Sequence, residues 1–317
     1  MSAAPSPENP GLLNWLLILI LGVVWGSAFL SMRIALEGFA PITVAAMRVL
    51  VGSAALVVIG IIMGQGLDKV PGARGWAFAS AIGLGAIALP FTLLAWGQQF
   101  VPSAYAGVAM GSVPLLVLPL VAIFSPEEGI GPRRIMGLIL GFAGIAVLFG
   151  PEALSSDAVP VRDRMLIWGT VACFGAASCY AIGSVITRRA PAMPPISLAT
   201  SSLVVAAIAL VPLALWFEGV PDAWPTRPTL WLLYAALFPT ALASVIRVRV
   251  ITTAGSLFMS IVDYMVPLWS VFFGILFLSE ALPPRLFAAL ALILAGIGIA
   301  QSRQILSALS HRRALRP

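Results

Sequence analysis

Of the 317 residues, 60% are apolar and only 9% are charged, and the mean hydropathy is +1.04. A soluble domain carries about 25% charged residues to wet its surface, so a water-facing globule of this size is excluded and lipid must bathe most of the chain. The net charge of +6 does not point to nucleic acid, because the arginines fall in isolated pairs between apolar runs, as Arg133–Arg134, Arg188–Arg189 and Arg312–Arg313.

A helix that crosses a hydrocarbon core of about 30 Å needs about 20 apolar residues. Ten segments qualify. The first five are 12–36, 41–63, 75–100, 103–124 and 134–149; the second five are 165–187, 196–217, 229–251, 255–278 and 284–301. The first lacks a basic flank and is too long for the apolar stretch of a cleavable signal peptide, so it is expected to stay as a helix. The connections are brief and carry turn residues, such as Glu37-Gly38-Phe39-Ala40-Pro41 and Ser279-Glu280-Ala281-Leu282-Pro283. The longest link, 150–164, joins the two halves. Glycine and proline lie within the apolar segments, where neighbouring helices can satisfy freed backbone groups.

Positive loops resist translocation. A cytoplasmic amino terminus puts Lys69, Arg74, Arg133, Arg134, Arg188, Arg189, Arg247, Arg249, Arg303, Arg312, Arg313 and Arg316 inside. Arg33, Arg162, Arg164, Arg227 and Arg285 then fall outside, and Arg48 lies within a span. Both termini are expected in the cytoplasm.

The chain repeats itself. A constant offset of 153 pairs Pro41 with Pro194, Pro114 with Pro267 and Glu127 with Glu280. Each half closes on a glycine-spaced apolar helix, Gly137 to Gly144 and Leu292 to Gly298. Five crossings is an odd number, so the second half must enter the membrane from the opposite side. The expectation is an all-α membrane protein of two inverted five-helix repeats, residues 1–150 and 151–302, followed by a basic tail, 303–317. In such repeats the substrate site lies near mid-membrane, between the halves.

Several runs resemble the EamA-type drug/metabolite transporter superfamily across nearly the whole length. They are Trp25-Gly26-Ser27, Val113-Pro114-Leu115 with Glu127, and Tyr264-Met265-Val266-Pro267-Leu268-Trp269-Ser270 with Gly274, Phe277-Leu278-Ser279-Glu280 and Gly296. The resemblance implies ten helices, two EamA domains and export of a small metabolite across the inner (plasma) membrane. Amino acids, aromatic or apolar ones first, are the leading substrate class, with drugs, nucleosides and other metabolites as alternatives. It also implies that helices one, three, four, six, eight and nine line a central cavity. The candidates there are Trp25, Ser27, Trp96, Gln98, Gln99, Tyr105, Ser112, Ser178, Tyr180, Ser184, Thr240, Ser244, Ser260, Tyr264 and Trp269, led by Tyr264, Trp25 and Tyr180. The plainer reading of each is a membrane-interface residue or a helix-to-helix hydrogen bond.

Charges inside a span are expensive and mark candidate functional sites. Arg48 lies about 10 Å along the second helix and Asp263 about 12 Å along the ninth, at 1.5 Å per residue. Asp263 with Arg247 or Arg249 forms a candidate gate or ion pair near the cytoplasmic mouth. The arginine pair departs from the apolar or aromatic residues that the family resemblance implies there. Asp263 is also the candidate for proton coupling, uncoupled export being the alternative. Pro114 and Pro267 are a candidate pair of hinges, since proline inside a helix removes a hydrogen bond and crowds the preceding turn. The small faces of Gly137, Gly141, Gly144, Gly296 and Gly298 are expected to let helices approach closely.

No cofactor or metal is expected. Cys173 and Cys179 sit in one apolar segment and the lone His311 in the basic tail, and no phosphate-cradling Gly-x-x-x-x-Gly-Lys-Ser/Thr run is present. An intramembrane enzyme is disfavoured, because Asp263 lacks the second acid of a paired-carboxylate mechanism. A channel remains the other alternative. The oligomeric state is left open by the sequence.

Overall fold

The computed structural model describes residues 11–124, 131–149 and 161–314, with the side chains of 121, 122, 124, 161–163, 256, 257 and 303–314 left aside. Among these residues every regular element is helical, as lipid demands of a backbone that must satisfy its own hydrogen bonds. Nine helices among the described residues are long and apolar enough to cross a membrane: α1 Gly11–Ala35, α2 Pro41–Ile62, α3 Gly72–Gly97, α4 Ser103–Leu120, α5 Pro132–Phe149, α6 Arg164–Arg188, α7 Pro195–Phe217, α8 Thr226–Gly255 and α10 Pro284–Ser302. A shorter apolar helix, α9 Val262–Leu278, precedes the last of them and completes the ten-segment pattern.

The eighth and ninth segments divide differently from the sequence expectation. The sequence pattern starts the ninth segment at Gly255. The structure keeps helical backbone up to that glycine, which then adopts φ +86° and ψ 161°. This left-handed conformation is open to glycine and strained for other residues, so the helix is broken there, and α9 begins only at Val262. Asp263 therefore sits in the first turn of α9 instead of well inside it. The last helix also runs on to Ala314, through much of the stretch expected as a tail.

Packing follows the repeat. Helix α5 lies against α10, α2 against α7 and α4 against α9. Helix α1 packs on α8 and α9, while α6 packs on α3 and α4. Exchanging the halves maps each contact onto itself or onto another member of the set, as a pseudo-two-fold relation requires. The α5–α10 seam is a close backbone approach between the two halves. A Cβ built on Gly137 would lie 2.4 Å from the Gly296 carbonyl oxygen, and one on Gly296 would lie 2.6 Å from the Gly137 carbonyl oxygen. Gly298, by contrast, faces open space and takes no part in the seam.

Helix starts are capped by side chains from the other half. The Glu280 carboxylate, just beyond α9, accepts from the backbone N–H groups of Ser103 (2.6 Å) and Ala104 (3.2 Å) at the start of α4. These are the donors a helix start leaves without an internal partner. Its repeat mate, Glu127, lies outside the described residues.

Candidate functional site

The site grows from two departures from α-helical geometry. Residues Gly83–Ala88 in α3 and Leu237–Leu242 in α8 form π-helical turns. The repeat offset brings the two within one residue of each other, so each half carries one at the same place. Such turns are rare, and they cluster at functional sites. Each has a proline beside or within it, Pro90 in α3 and Pro239 in α8.

Pro239 has no N–H to give the carbonyl of Ala235, one turn earlier. The Thr240 hydroxyl fills that role, donating to the Ala235 oxygen at 3.0 Å. Committed as a donor, the same hydroxyl accepts from Arg48 Nε at 2.9 Å. The carbonyl of Pro239 in turn accepts from the Trp25 indole N–H at 3.1 Å, and that of Thr240 accepts from the Ser244 hydroxyl at 2.6 Å. One proline in α8 thus organises side chains from α1, α2 and α8.

Arg48 reaches this point from α2 and is 94% buried, with 6% of its surface exposed. Its guanidinium carbon sits 4.0 Å from the centroid of the Phe91 ring, a cation–π contact. The Phe91 ring is 6.5 Å from that of Tyr180 on α6. Tyr180 is packed against both core clusters that meet here. The result is a polar and aromatic centre, built by α1, α2, α3, α6 and α8, inside otherwise apolar packing.

The remaining sequence candidates fall into separate groups. Ser27 is buried on α1; its hydroxyl donates to the Val24 carbonyl and shares a 2.7 Å hydrogen bond with the Tyr234 hydroxyl. Both line a lateral groove of about 290 Å³ between α1, α8 and α9, with Trp231 and Phe273. Tyr105 is buried in the first turn of α4. Ser112 stands at the break between the two pieces of that segment, its hydroxyl bonded back to Ala109. Ser178 and Ser184 on α6 likewise bond to backbone carbonyls one turn back. Trp96 and Gln99 are exposed, and the Trp96 ring packs edge-on against Phe100. Gln98 is fully buried, and its amide donates to the Phe29 carbonyl. Trp269 stacks on Phe273.

At the face where α1 begins, the Tyr264 hydroxyl bonds to Gln301 Oε1 at 3.1 Å, close to Asp263 and to Ser260 in the turn before α9. Asp263 lies within electrostatic reach of Arg247. Neither Arg247 nor Arg249 makes an ion pair with it at contact distance; the two salt bridges among the described residues are Lys69–Asp68 and Arg227–Glu37. Both arginines are exposed on the protein's flank. Pro267 lies inside α9. Pro114 does not: it is the second residue of a helix that restarts at Val113 after the Gly111–Ser112 turn, where a missing N–H removes nothing.

With this arrangement in hand, comparison with known proteins is decisive at the level of family. The sequence profile of the EamA-like transporter family matches residues 13–150 and again 167–300. The chain belongs to the EamA-like transporter family. Among curated relatives, the "Uncharacterized transporter YoaV" of Bacillus subtilis is 25% identical over 284 residues, covering 88% of this chain and 94% of that one. The "Uncharacterized inner membrane transporter YedA" of Escherichia coli is 30% identical over 172 residues, about half of each chain. A crystal structure with 20% sequence identity superimposes with a TM-score of 0.65 over 92% of this chain and 98% of its own, which establishes the common fold. The twofold match makes this EamA protein a multi-pass membrane transporter, with small molecules as the cargo and the bilayer as its solvent.

Phe91, Tyr234, Gln301, Gln65 and Glu218 are not among the sequence candidates. For the last two a signal exists: the offset of 153 pairs Gln65 with Glu218, both just past the end of an apolar segment. Phe91 and Tyr234 are ordinary aromatics in apolar helices, and only the packing singles them out.

Proposed function

We propose that this EamA transporter is a secondary carrier of the inner membrane that exports amino acids with aromatic or apolar side chains. The two repeats, residues 1–150 and 151–302, exchange conformations to expose a shared site alternately to each side. Both termini are cytoplasmic, and the cytoplasmic mouth is the end that holds Asp263, Tyr264 and Arg247.

The observation that carries this reading is the centre at the α8 π turn, where Trp25, Phe91 and Tyr180 offer ring faces beside the Thr240 hydroxyl and the Arg48 cation. Ring faces suit an aromatic or apolar side chain, and the polar groups suit the ammonium and carboxylate end. Paired π turns supply a means of motion, because backbone with irregular hydrogen bonding is easier to rewind than regular helix. Pro267, inside α9, is a further pivot.

The test is counterflow in proteoliposomes with a panel of amino acids, nucleosides and cationic drugs. Preloaded aromatic amino acid should drive uptake of labelled aromatic amino acid. Counterflow with nucleosides or cationic drugs alone would replace the substrate class, and conductance without saturation would favour a channel over a carrier. Asp263→Asn, assayed with and without a pH gradient, tests proton coupling: a retained response excludes Asp263 as the coupling group.

A further inference from the structure

Arg48 poses an electrostatic problem that its protein neighbours do not solve. A guanidinium stays protonated in proteins, and an unpaired charge within a membrane segment is costly. Yet neither of the two salt bridges among the described residues involves Arg48. Thr240 takes only the Nε–H, and Phe91 covers only one face. The two terminal Nη groups donate no hydrogen bond among the described residues. Nor do they count among the fully enclosed side-chain atoms that lack a partner among the described residues, such as Gln98 Oε1, Ser103 Oγ, Ser202 Oγ and Thr229 Oγ1. The Tyr180 hydroxyl likewise makes no hydrogen bond among the described residues, and its residue is partly exposed.

We infer that Arg48 is the receptor for a carboxylate on the transported molecule, with the Tyr180 hydroxyl as a second donor. The geometry fits the chemistry. Thr240 holds Nε and fixes the plane of the side chain, which leaves the edge bearing both Nη groups for a carboxylate. A planar fork of parallel N–H donors matches a carboxylate in two-point fashion. Phe91 prevents the fork from rotating out of that plane and leaves an aromatic surface beside the bound group. Bound carboxylate would neutralise the buried cation, so charge balance is complete only with cargo present. Uncharged and purely cationic cargo leaves the fork unpaired.

The inference deepens the carrier reading and rests on it, but it does not require the cargo to be an amino acid. Its test uses two matched pairs of probes, phenylacetate with phenylacetamide and L-phenylalanine with L-phenylalaninamide, and reads binding to the purified full-length protein in detergent by thermal stabilisation. A charge-assisted two-point contact should favour at least one acid over its amide by roughly tenfold or more. Arg48→Met should bring that acid down to the level of the amide, while Tyr180→Phe should weaken the acid and leave the amide unchanged. If Arg48→Met does not fold, the wild-type acid-to-amide ratio and Tyr180→Phe decide alone.

Equal binding of acid and amide by the wild type overturns the inference, as does no saturable binding of either acid, or an acid preference that survives Arg48→Met. Binding of phenylacetate without phenylalanine would sink the amino-acid assignment and leave the carboxylate receptor standing. Phenylalanine counterflow with no acid preference in binding would do the reverse.

Discussion

The Glu218 carboxylate, just past the end of α7, accepts a 2.6 Å hydrogen bond from the Thr43 backbone N–H in the first turn of α2. It also accepts from the Ile42 N–H at 2.9 Å and from the Thr43 hydroxyl at 2.7 Å. At the opposite membrane face the relation is returned. Gln65, just past α2, accepts at its side-chain oxygen from the Ile196 N–H at 3.4 Å, and at its backbone oxygen from the Ser197 hydroxyl at 2.9 Å. Each helix of the α2–α7 pair thus caps the start of the other, one with a charged group and one with a neutral amide.

This asymmetry has a measurable consequence. Glu218→Ala leaves three donors without their acceptor and should destabilise the protein by about 1–3 kcal/mol, the scale for orphaned polar groups. Gln65→Ala removes only a long, neutral contact and should cost under about 1 kcal/mol. Melting of the purified protein in detergent checks both; equal losses would show that charge does not set the strength of the caps.

The Trp25 indole gives the π turn of α8 a partner for the Pro239 carbonyl. Trp25→Phe keeps the ring and deletes the donor, so it should cost about 0.5–1.5 kcal/mol of stability. It should also lower transport more than that loss of stability explains. Vesicle uptake measured beside the melting curve separates the two effects.

The glycine seam gives a paired prediction. Gly137→Val places side-chain atoms where even a Cβ meets the Gly296 carbonyl oxygen at 2.4 Å. It should therefore cost about 1–3 kcal/mol or more through overpacking. Gly298 faces open space, so Gly298→Ala should be neutral or stabilise by up to about 1 kcal/mol through helix propensity. A melting comparison of the two variants tests the seam directly.

Charge pairs at the loop ends should matter little. Arg227 and Glu37 form a 2.6 Å salt bridge, but their side chains remain 58% and 44% exposed. Arg227→Gln should change stability by less than about 1 kcal/mol. A larger loss on melting would mean that the pair is buried by the membrane interface.

The inverted repeat was readable because a small set of residues has fixed backbone consequences. Pro41 and Pro194, at the starts of α2 and α7, and Glu280, just beyond α9 and capping α4, stand where helix ends must be begun or capped. Gly255 misled on a boundary for a related reason. A glycine in an apolar run gives no sign of whether it opens a helix or breaks one, and its positive φ is visible only in three dimensions.

Composition and spacing alone determined that the chain lives in lipid, crosses it about ten times and is built from two oppositely threaded halves. Which side chains meet was decided by the tertiary structure. In a soluble helix the polar face marks the outside, but lipid is as apolar as the protein core, so a membrane helix such as α2 carries no such mark. Arg48 was visible as a buried charge. That it faces Thr240, freed as an acceptor by the proline before it, and lies over Phe91 from another helix, follows only from how α2, α3 and α8 pack together.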